Sequence, residues 1–205
     1  MTSSPTAPEV ESGSRRDAII DIAAGSFAKQ GFHGVSMRDI AKANGSSVAT
    51  LYNHFASKDA LMLAIGERFY TVFIRKLEIA AEAPADGLTR IMNMVQITYS
   101  IGGRFRSEFL TLSHDTRHVA LTEALAPLVA WRNQCVKLWR QVLEAGMADG
   151  SIQTAVDPVA ITWVVFYAIT GMLEDTRVAE LSTSVIGDPL VSLSGLISEG
   201  LRPRN

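Results

Sequence analysis

The stretch SMRDIAKANGSSVATLYNHF, residues 36 to 55, constrains this chain more than any other. It reads as two short helices joined by a turn too tight to hold anything else. Ser36 can cap the first helix through its side-chain oxygen, with Asp39 three residues on in the reciprocal position. Met37, Ile40 and Ala41 then make an inward stripe. Asn44 and Gly45 tolerate the left-handed backbone that ends a helix, and Ser46 and Ser47 follow as candidate caps for a second one. In that second helix Leu51 and Phe55 stand four apart and must face the body, which turns Val48, Ala49, Thr50 and Tyr52 outward. Small residues lead, so a base edge can approach. The pattern is that of a helix-turn-helix whose second helix enters a DNA groove.

Physical chemistry assigns the outward residues their tasks. A recognition helix reads base edges with its first turn, while longer polar side chains hold its register on phosphates. Ala49 and the Thr50 methyl suit a thymine methyl, and the Thr50 hydroxyl suits a base edge or phosphate. Tyr52, His54 and Lys58 lie where phosphate oxygens would be, and Arg38 has the reach for a guanine or a phosphate. With Ser36, Ser47 and Val48 they form the candidate DNA-binding set.

Residues 15 to 66 resemble the DNA-binding domain of TetR-type transcriptional repressors. The resemblance rests on Ser36, Arg38, Ile40, Ala41, Gly45, the run Thr50 to Tyr52, His54, Phe55 and Lys58. Ser46 departs from it, standing where the family usually has an apolar residue, which leaves the frame of the cap open between Ser46 and Ser47. The resemblance implies an all-α fold: a three-helix DNA-binding head, then a helical ligand-binding and dimerisation domain. It also implies a homodimer on a palindromic double-stranded operator, acting as a repressor and released by a small-molecule effector.

The rest of the chain divides accordingly. Residues 1–13 read as a disordered polar tail without the basic start and apolar stretch of a secretory signal. Residues 14–58 carry a net charge of +3 and form the head, and residues 59–205 carry −3 and form the second domain. The cationic surplus sits where phosphate would. A helix over 14–30 carries Ile19, Ile20, Ala23, Ala24 and Phe27 on one face and stops at Gly31. Ser57 starts a long helix whose stretch 59–82 connects the domains. Helical spacing then runs through Leu88, Ile91, Met92, Val95 and Tyr99 until Gly102 and Gly103 break it. A shorter helix covers Phe105 to Ser113, and Pro127 opens another to Met147, with Trp131, Cys135, Leu138 and Val142 on one face and Trp139 flanking. Asp157-Pro158 and Asp188-Pro189 open two more. These last two, with Trp163, Val164, Phe166, Ile169 and Met172, are the expected dimer surface under the resemblance.

The effector site is expected within the second domain. Met92, Val95, Tyr99, Phe109, Trp131, Cys135, Leu138, Trp139, Phe166 and Tyr167 combine apolar bulk with a few polar tips. A loose similarity of residues 133–157 to acyl-CoA-responsive members favours a largely apolar effector, a fatty or sterol-derived acyl-CoA, with Arg104, Arg106, Arg117, Arg132 and Arg140 as possible phosphate partners. The most apolar run, Pro158 to Leu173, falls short of the ~20 residues that span a bilayer, so no membrane partner is expected. The single cysteine, Cys135, excludes an intrachain disulfide and fits a reducing cytoplasm.

Two other function classes have residues that could speak for them. His114 and His118, with Asp115 between them, have metal-ligand spacing on a helix. A catalytic zinc site also needs a third protein ligand and an open position. No Gly-rich phosphate loop, nucleophile elbow or paired-Cys zinc module is present, so neither an enzyme, a cofactor nor a metal is expected. A helical scaffold with a vestigial head is the remaining alternative.

Overall fold

The computed structural model describes residues 11–118, 123–174 and 188–203. The His114, Asp115 and His118 side chains and most of the 1–13 tail lie outside that description. Helices α1 (Glu11–Gln30), α2 (Met37–Ala43) and α3 (Val48–His54) make the head, and α4 (Lys58–Ala81) leaves it. Beyond lie α5 (Gly87–Arg104), α6 (Arg106–His118), a 3-10 turn (Glu123–Leu125), α7 (Ala126–Asp149), α8 (Pro158–Glu174) and α9 (Pro189–Leu201). Among the described residues there is no strand. The architecture is all-α, with an N-terminal helix-turn-helix, as the sequence predicts.

The head folds on chemistry visible in its residues. Ile19, Ile20, Ala23, Ala24 and Phe27 of α1 are buried against Ile40, Leu51, Phe55, Leu61 and Ile65. Gly31 takes φ 73° and ends α1, its N–H donating to Phe27 O at 2.8 Å. The Ser36/Asp39 capping box is formed in both directions. Of the Asn44-Gly45 pair, only Gly45 is left-handed, at φ 64°. Ser47, not Ser46, caps α3, its hydroxyl accepting from Thr50 N at 3.0 Å. Ser46 instead accepts from Asn44 Nδ2 at 3.1 Å and donates its N–H to Ala41 O at 3.0 Å. A polar residue at this unusual place is therefore satisfied within the turn.

Several boundaries differ from the sequence reading. Helix α1 opens at Glu11 rather than residue 14, because adding a residue to a nucleated helix is easy and no proline intervenes after Pro8. Helix α5 runs straight through Gly102 and Gly103. A Cβ on Gly102 would stand 2.7 Å from Leu173 Cδ1 and 3.3 Å from Phe109 Cδ2, so the glycine lets α8 and α6 approach α5 instead of ending it. Helix α6 extends to His118, five residues past the expected end. Within α7 the buried face is Leu128, Cys135, Trp139, Val142 and Leu143, with Gly146. Trp139 is central, while Trp131 and Leu138 are only half-buried.

Helix α4 ties head to body. Its Leu61 and Ile65 belong to the head core, whereas Phe69, Tyr70, Phe73 and Leu77 are buried among α5, α6 and α7. Helix α1 also packs along α6, where Thr111 Oγ1 donates to Ala24 O at 3.1 Å. Close by, Arg68 of α4 pairs with Asp21 of α1 at 2.7 Å and with the buried Glu108 of α6. Burial opposes the Arg68 charge, but Asp21 and Glu108 outweigh it and hold the guanidinium protonated beyond its ordinary range. No helix among the described residues is long and apolar enough to cross a membrane.

Candidate nucleic-acid interface and internal cavity

Ser36, Arg38, Val48, Tyr52 and Lys58 line one surface depression between the start of α2 and the recognition helix α3. Arg38, Ser47 and Ala49 are exposed, Tyr52 is half-exposed at 50%, and Thr50 and His54 are intermediate. Residues predicted from spacing alone thus share one face. Within it, some are already engaged. The Ser36 hydroxyl and N–H serve the capping box, with Ser36 N donating to Asp39 Oδ2 at 2.9 Å. That hydrogen bonding holds the Asp39 carboxyl below the usual range. The Thr50 and Ser47 hydroxyls share a hydrogen at 2.8 Å in the first turn of α3.

Two residues depart from the sequence reading. Val48 is half-buried and packs against the core rather than turning fully outward. Lys58 turns inward. Its Nζ donates to Phe32 O at 3.0 Å and Val35 O at 3.1 Å and sits 4.3 Å from the Phe32 ring centroid. Two of its three donors therefore clasp the loop between α1 and α2. Sequence reasoning did not single out Arg16 of α1, which lies over the ring of Phe55 at 4.9 Å.

A second feature lies inside the body, where α4, α5, α6, α7 and α8 meet around a narrow space of about 30 Å³. Its walls are aromatic. Phe69 lies 5.8 Å from Phe109, Phe109 lies 5.3 Å from Phe166, and Trp163 meets Phe166 edge-on at 6.2 Å. Trp139 and Val136 of α7 complete the apolar lining, and Thr98, Ser113, Thr162 and Arg132 supply polar atoms. The threonine hydroxyls bond back to their own helices, Thr98 to Met94 O at 2.8 Å and Thr162 to Pro158 O at 2.9 Å. The Arg132 guanidinium lies 5.9 Å from the Trp163 ring centroid. A volume of this size admits a water or two.

Of the ten residues expected to line an effector site, Phe109, Trp139 and Phe166 line this cavity. Val95 is fully buried in the core and Met92 and Tyr99 are half-buried away from the cavity. Trp131 packs on Tyr70 at 5.9 Å. Tyr167 faces outward on the far side of Trp163. Cys135 is buried outside the lining, and that burial pushes its thiol up to about 12. Leu138 is half-buried against the core and outside the lining. Missed were Phe69, Tyr70 and Phe73 of α4. An aromatic pair four apart with a neighbouring Tyr, late in a connecting helix, was the available signal.

The apolar face of α8 and α9 splits in two. Ile169 is fully buried and Phe166 faces the cavity, so both belong to the chain's own interior and not to an outer surface. Val164, Val191 and Leu196 are 66%, 66% and 74% exposed. Val164 and Leu196 border an open apolar groove between the two helices, floored by Ile161, Val165 and Leu201. Among the described residues no three metal-ligating side chains come together.

Residues 19–65 match the family model described as bacterial regulatory proteins, tetR family. The chain is 28% identical over 204 residues to the HTH-type transcriptional repressor KstR2 of Rhodococcus jostii, covering 94% of this chain and 98% of that one. It is 30% identical over 166 residues to KstR2 of Mycolicibacterium smegmatis, covering 74% and 75%. Among solved structures, the ketosteroid transcriptional regulator KstR2 of Mycobacterium tuberculosis superposes with a TM-score of 0.79 at 18% identity, covering 98% of this chain and 100% of that one. AibR in complex with isovaleryl coenzyme A and operator DNA superposes at 0.76 and 21% identity, covering 93% and 100%.

Proposed function

We propose, from the premise that the chain belongs to the tetR family of bacterial regulatory proteins, that it is an effector-released repressor acting as a homodimer on a palindromic operator. The chain is a transcriptional regulator with a helix-turn-helix, not an enzyme. Residues 14–58 are the DNA-binding head, and residues 59–205 bind effector and partner, with 59–82 as the connecting helix.

On this reading Arg38, Ser47, Ala49, Thr50, Tyr52 and His54 meet DNA, while Ser36 and Lys58 position them. One short recognition helix touches few bases, so two copies on paired half-sites supply the affinity. The apolar groove bordered by the exposed Val164 and Leu196 of α8 and α9 suits the twofold contact, since monomers seldom leave such a patch in water.

The cavity carries the effector reading. Its Phe69, Tyr70 and Phe73 walls belong to the same helix whose first residue, Lys58, clasps the head about 18 Å away. In its present state it is too small for any ligand of ordinary size, which needs ~300 Å³ or more. An effector must therefore part α4 from α6 and α8, and both α4 and α6 hold the head. The aromatic lining suits an apolar acyl or steroid body, and Arg132 at its edge suits an anionic group. Similarity to KstR2 and to an isovaleryl-CoA complex supports an acyl-CoA, sterol-derived or fatty.

The deciding experiment selects duplexes from the source genome on the purified chain, then measures their release by steroid-acyl-CoA and isovaleryl-CoA. Selected duplexes should outcompete scrambled ones, and one acyl-CoA should release them. Binding no better than to scrambled DNA removes the regulator reading. Release by none of them removes the effector class.

A further inference from the structure

The sequence placed the phosphate contacts of the head at Arg38, Tyr52, His54 and Lys58, but the structure commits Lys58 to the Phe32 and Val35 carbonyls. A head that binds DNA needs further cations beside the recognition helix. Arg16 is one. It is exposed on the first turns of α1, and its guanidinium lies 4.9 Å over the ring of Phe55. Phe55 is the C-cap of α3 and is itself 3% exposed, so the ring is fixed by the core. Arg16 pairs with no carboxylate among the described residues, in contrast to Arg68, Arg90 and Arg140, which spend their guanidinium groups on the protein.

Stacking on a ring uses the flat face of a guanidinium and leaves its in-plane N–H edges open. It also removes much of the side-chain freedom that binding would otherwise have to freeze. Helix α3 has seven residues and is about 10 Å long, close to the ~12 Å width of the major groove. When its first turn faces the bases, a cation held at its far end stands near the phosphate rim. We propose that Arg16 is a DNA-contacting residue, a phosphate ligand pre-positioned by Phe55 at the end of the recognition helix. The proposal rests on the DNA-binding reading above and adds a contact from outside the helix-turn-helix.

The test is the salt dependence of binding to a short duplex of scrambled sequence, which needs no operator because phosphate contacts are independent of sequence. Full-length wild type, Arg16→Ala, Arg16→Lys and, at the far end of α4, Arg75→Ala are titrated across monovalent salt. Arg16→Ala should lower the magnitude of the log–log slope by about 0.9 per bound chain, equivalent to about eightfold weaker binding per chain at 0.1 M salt. Arg16→Lys and Arg75→Ala should keep the wild-type slope. Thermal unfolding verifies that each variant is folded, and Arg16→Gln replaces the alanine variant if that one is not. An unchanged slope in the neutral variant overturns the proposal, leaving Arg16 as packing on Phe55, as does a slope lost equally in Arg16→Lys. A wild type with no salt-dependent binding overturns the DNA reading itself, and this one with it.

Discussion

Replacing Glu108 by Gln tests whether the head is latched to the effector domain through Arg68. Glu108 is 6% exposed and shares the Arg68 guanidinium with Asp21, whose side chain is 69% exposed. Two opposite charges ~4 Å apart attract by about 4 kcal/mol at an effective dielectric of ~20. The carboxamide keeps a hydrogen-bond acceptor and is less costly to bury than a carboxylate, so the net loss should be about 1–3 kcal/mol. Asp21→Asn alone should cost under about 1 kcal/mol, as an exposed pair does. Together the two changes strand Arg68, so the double variant should lose at least ~0.5 kcal/mol more than the sum. Urea unfolding followed by the fluorescence of Trp131, Trp139 and Trp163, all outside the head, gives each value. Strict additivity within ~0.3 kcal/mol would show that α1 and α6 do not communicate through this guanidinium and would refute the latch.

Lys58→Met should lower the urea midpoint, costing about 1–3 kcal/mol for two charge-assisted hydrogen bonds to Phe32 and Val35 carbonyls, while leaving the salt slope of DNA binding unchanged; a lower slope with normal stability would make Lys58 a phosphate ligand instead. Gly102→Ala drives a methyl to 2.7 Å from Leu173 Cδ1, and overpacking of this kind should cost about 1–3 kcal/mol in the same unfolding assay. The Ser36 hydrogen bonds hold the Asp39 carboxyl below its ordinary range, so its cap stabilises α2 above pH ~4, the unfolded value, and is lost as pH falls through the lower folded value. Thermal midpoints measured down that window should fall less steeply in Asp39→Asn than in wild type.

The head was legible because its signals are local. A capping box, a left-handed glycine and a Leu51/Phe55 pair each act within four residues, and those spacings survive into the structure unchanged. What sequence spacing could not tell was which side chains the fold itself would consume. Lys58 looks like any exposed cation until Phe32 and Val35, more than twenty residues earlier, bring it two carbonyls. Gly102 and Gly103 look like a helix end until Leu173 and Phe109 arrive from two other helices. The cavity was the least legible, because a core stripe and a lining stripe have the same 3.6-residue period. Trp139 was placed beside the α7 face and is its centre. Trp131, placed on that face, packs against Tyr70 instead.

The near-closure of the cavity bears on how much an effector could shift the proposed switch. A ligand moves a two-state equilibrium only by the difference in its affinity for the two states. A space of about 30 Å³ is far below the ~300 Å³ that a ligand of ordinary size needs, so on this reading an acyl chain or a steroid binds the opened body in strong preference to the closed one. Most of its intrinsic affinity then becomes differential affinity, reduced in appearance by the rarity of the open form. The opening strain falls on the aromatic contacts of Phe69, Phe109 and Phe166, which sit on the two helices that hold the head and on α8 of the exposed apolar face. Reciprocity requires that operator DNA, in favouring the closed body, weaken effector binding by the same factor. Enlarging the cavity from within, as Phe109→Ala does, should therefore ease opening, raise apparent effector affinity and weaken operator binding together. A variant that gained effector affinity at unchanged operator affinity would separate the cavity from the switch.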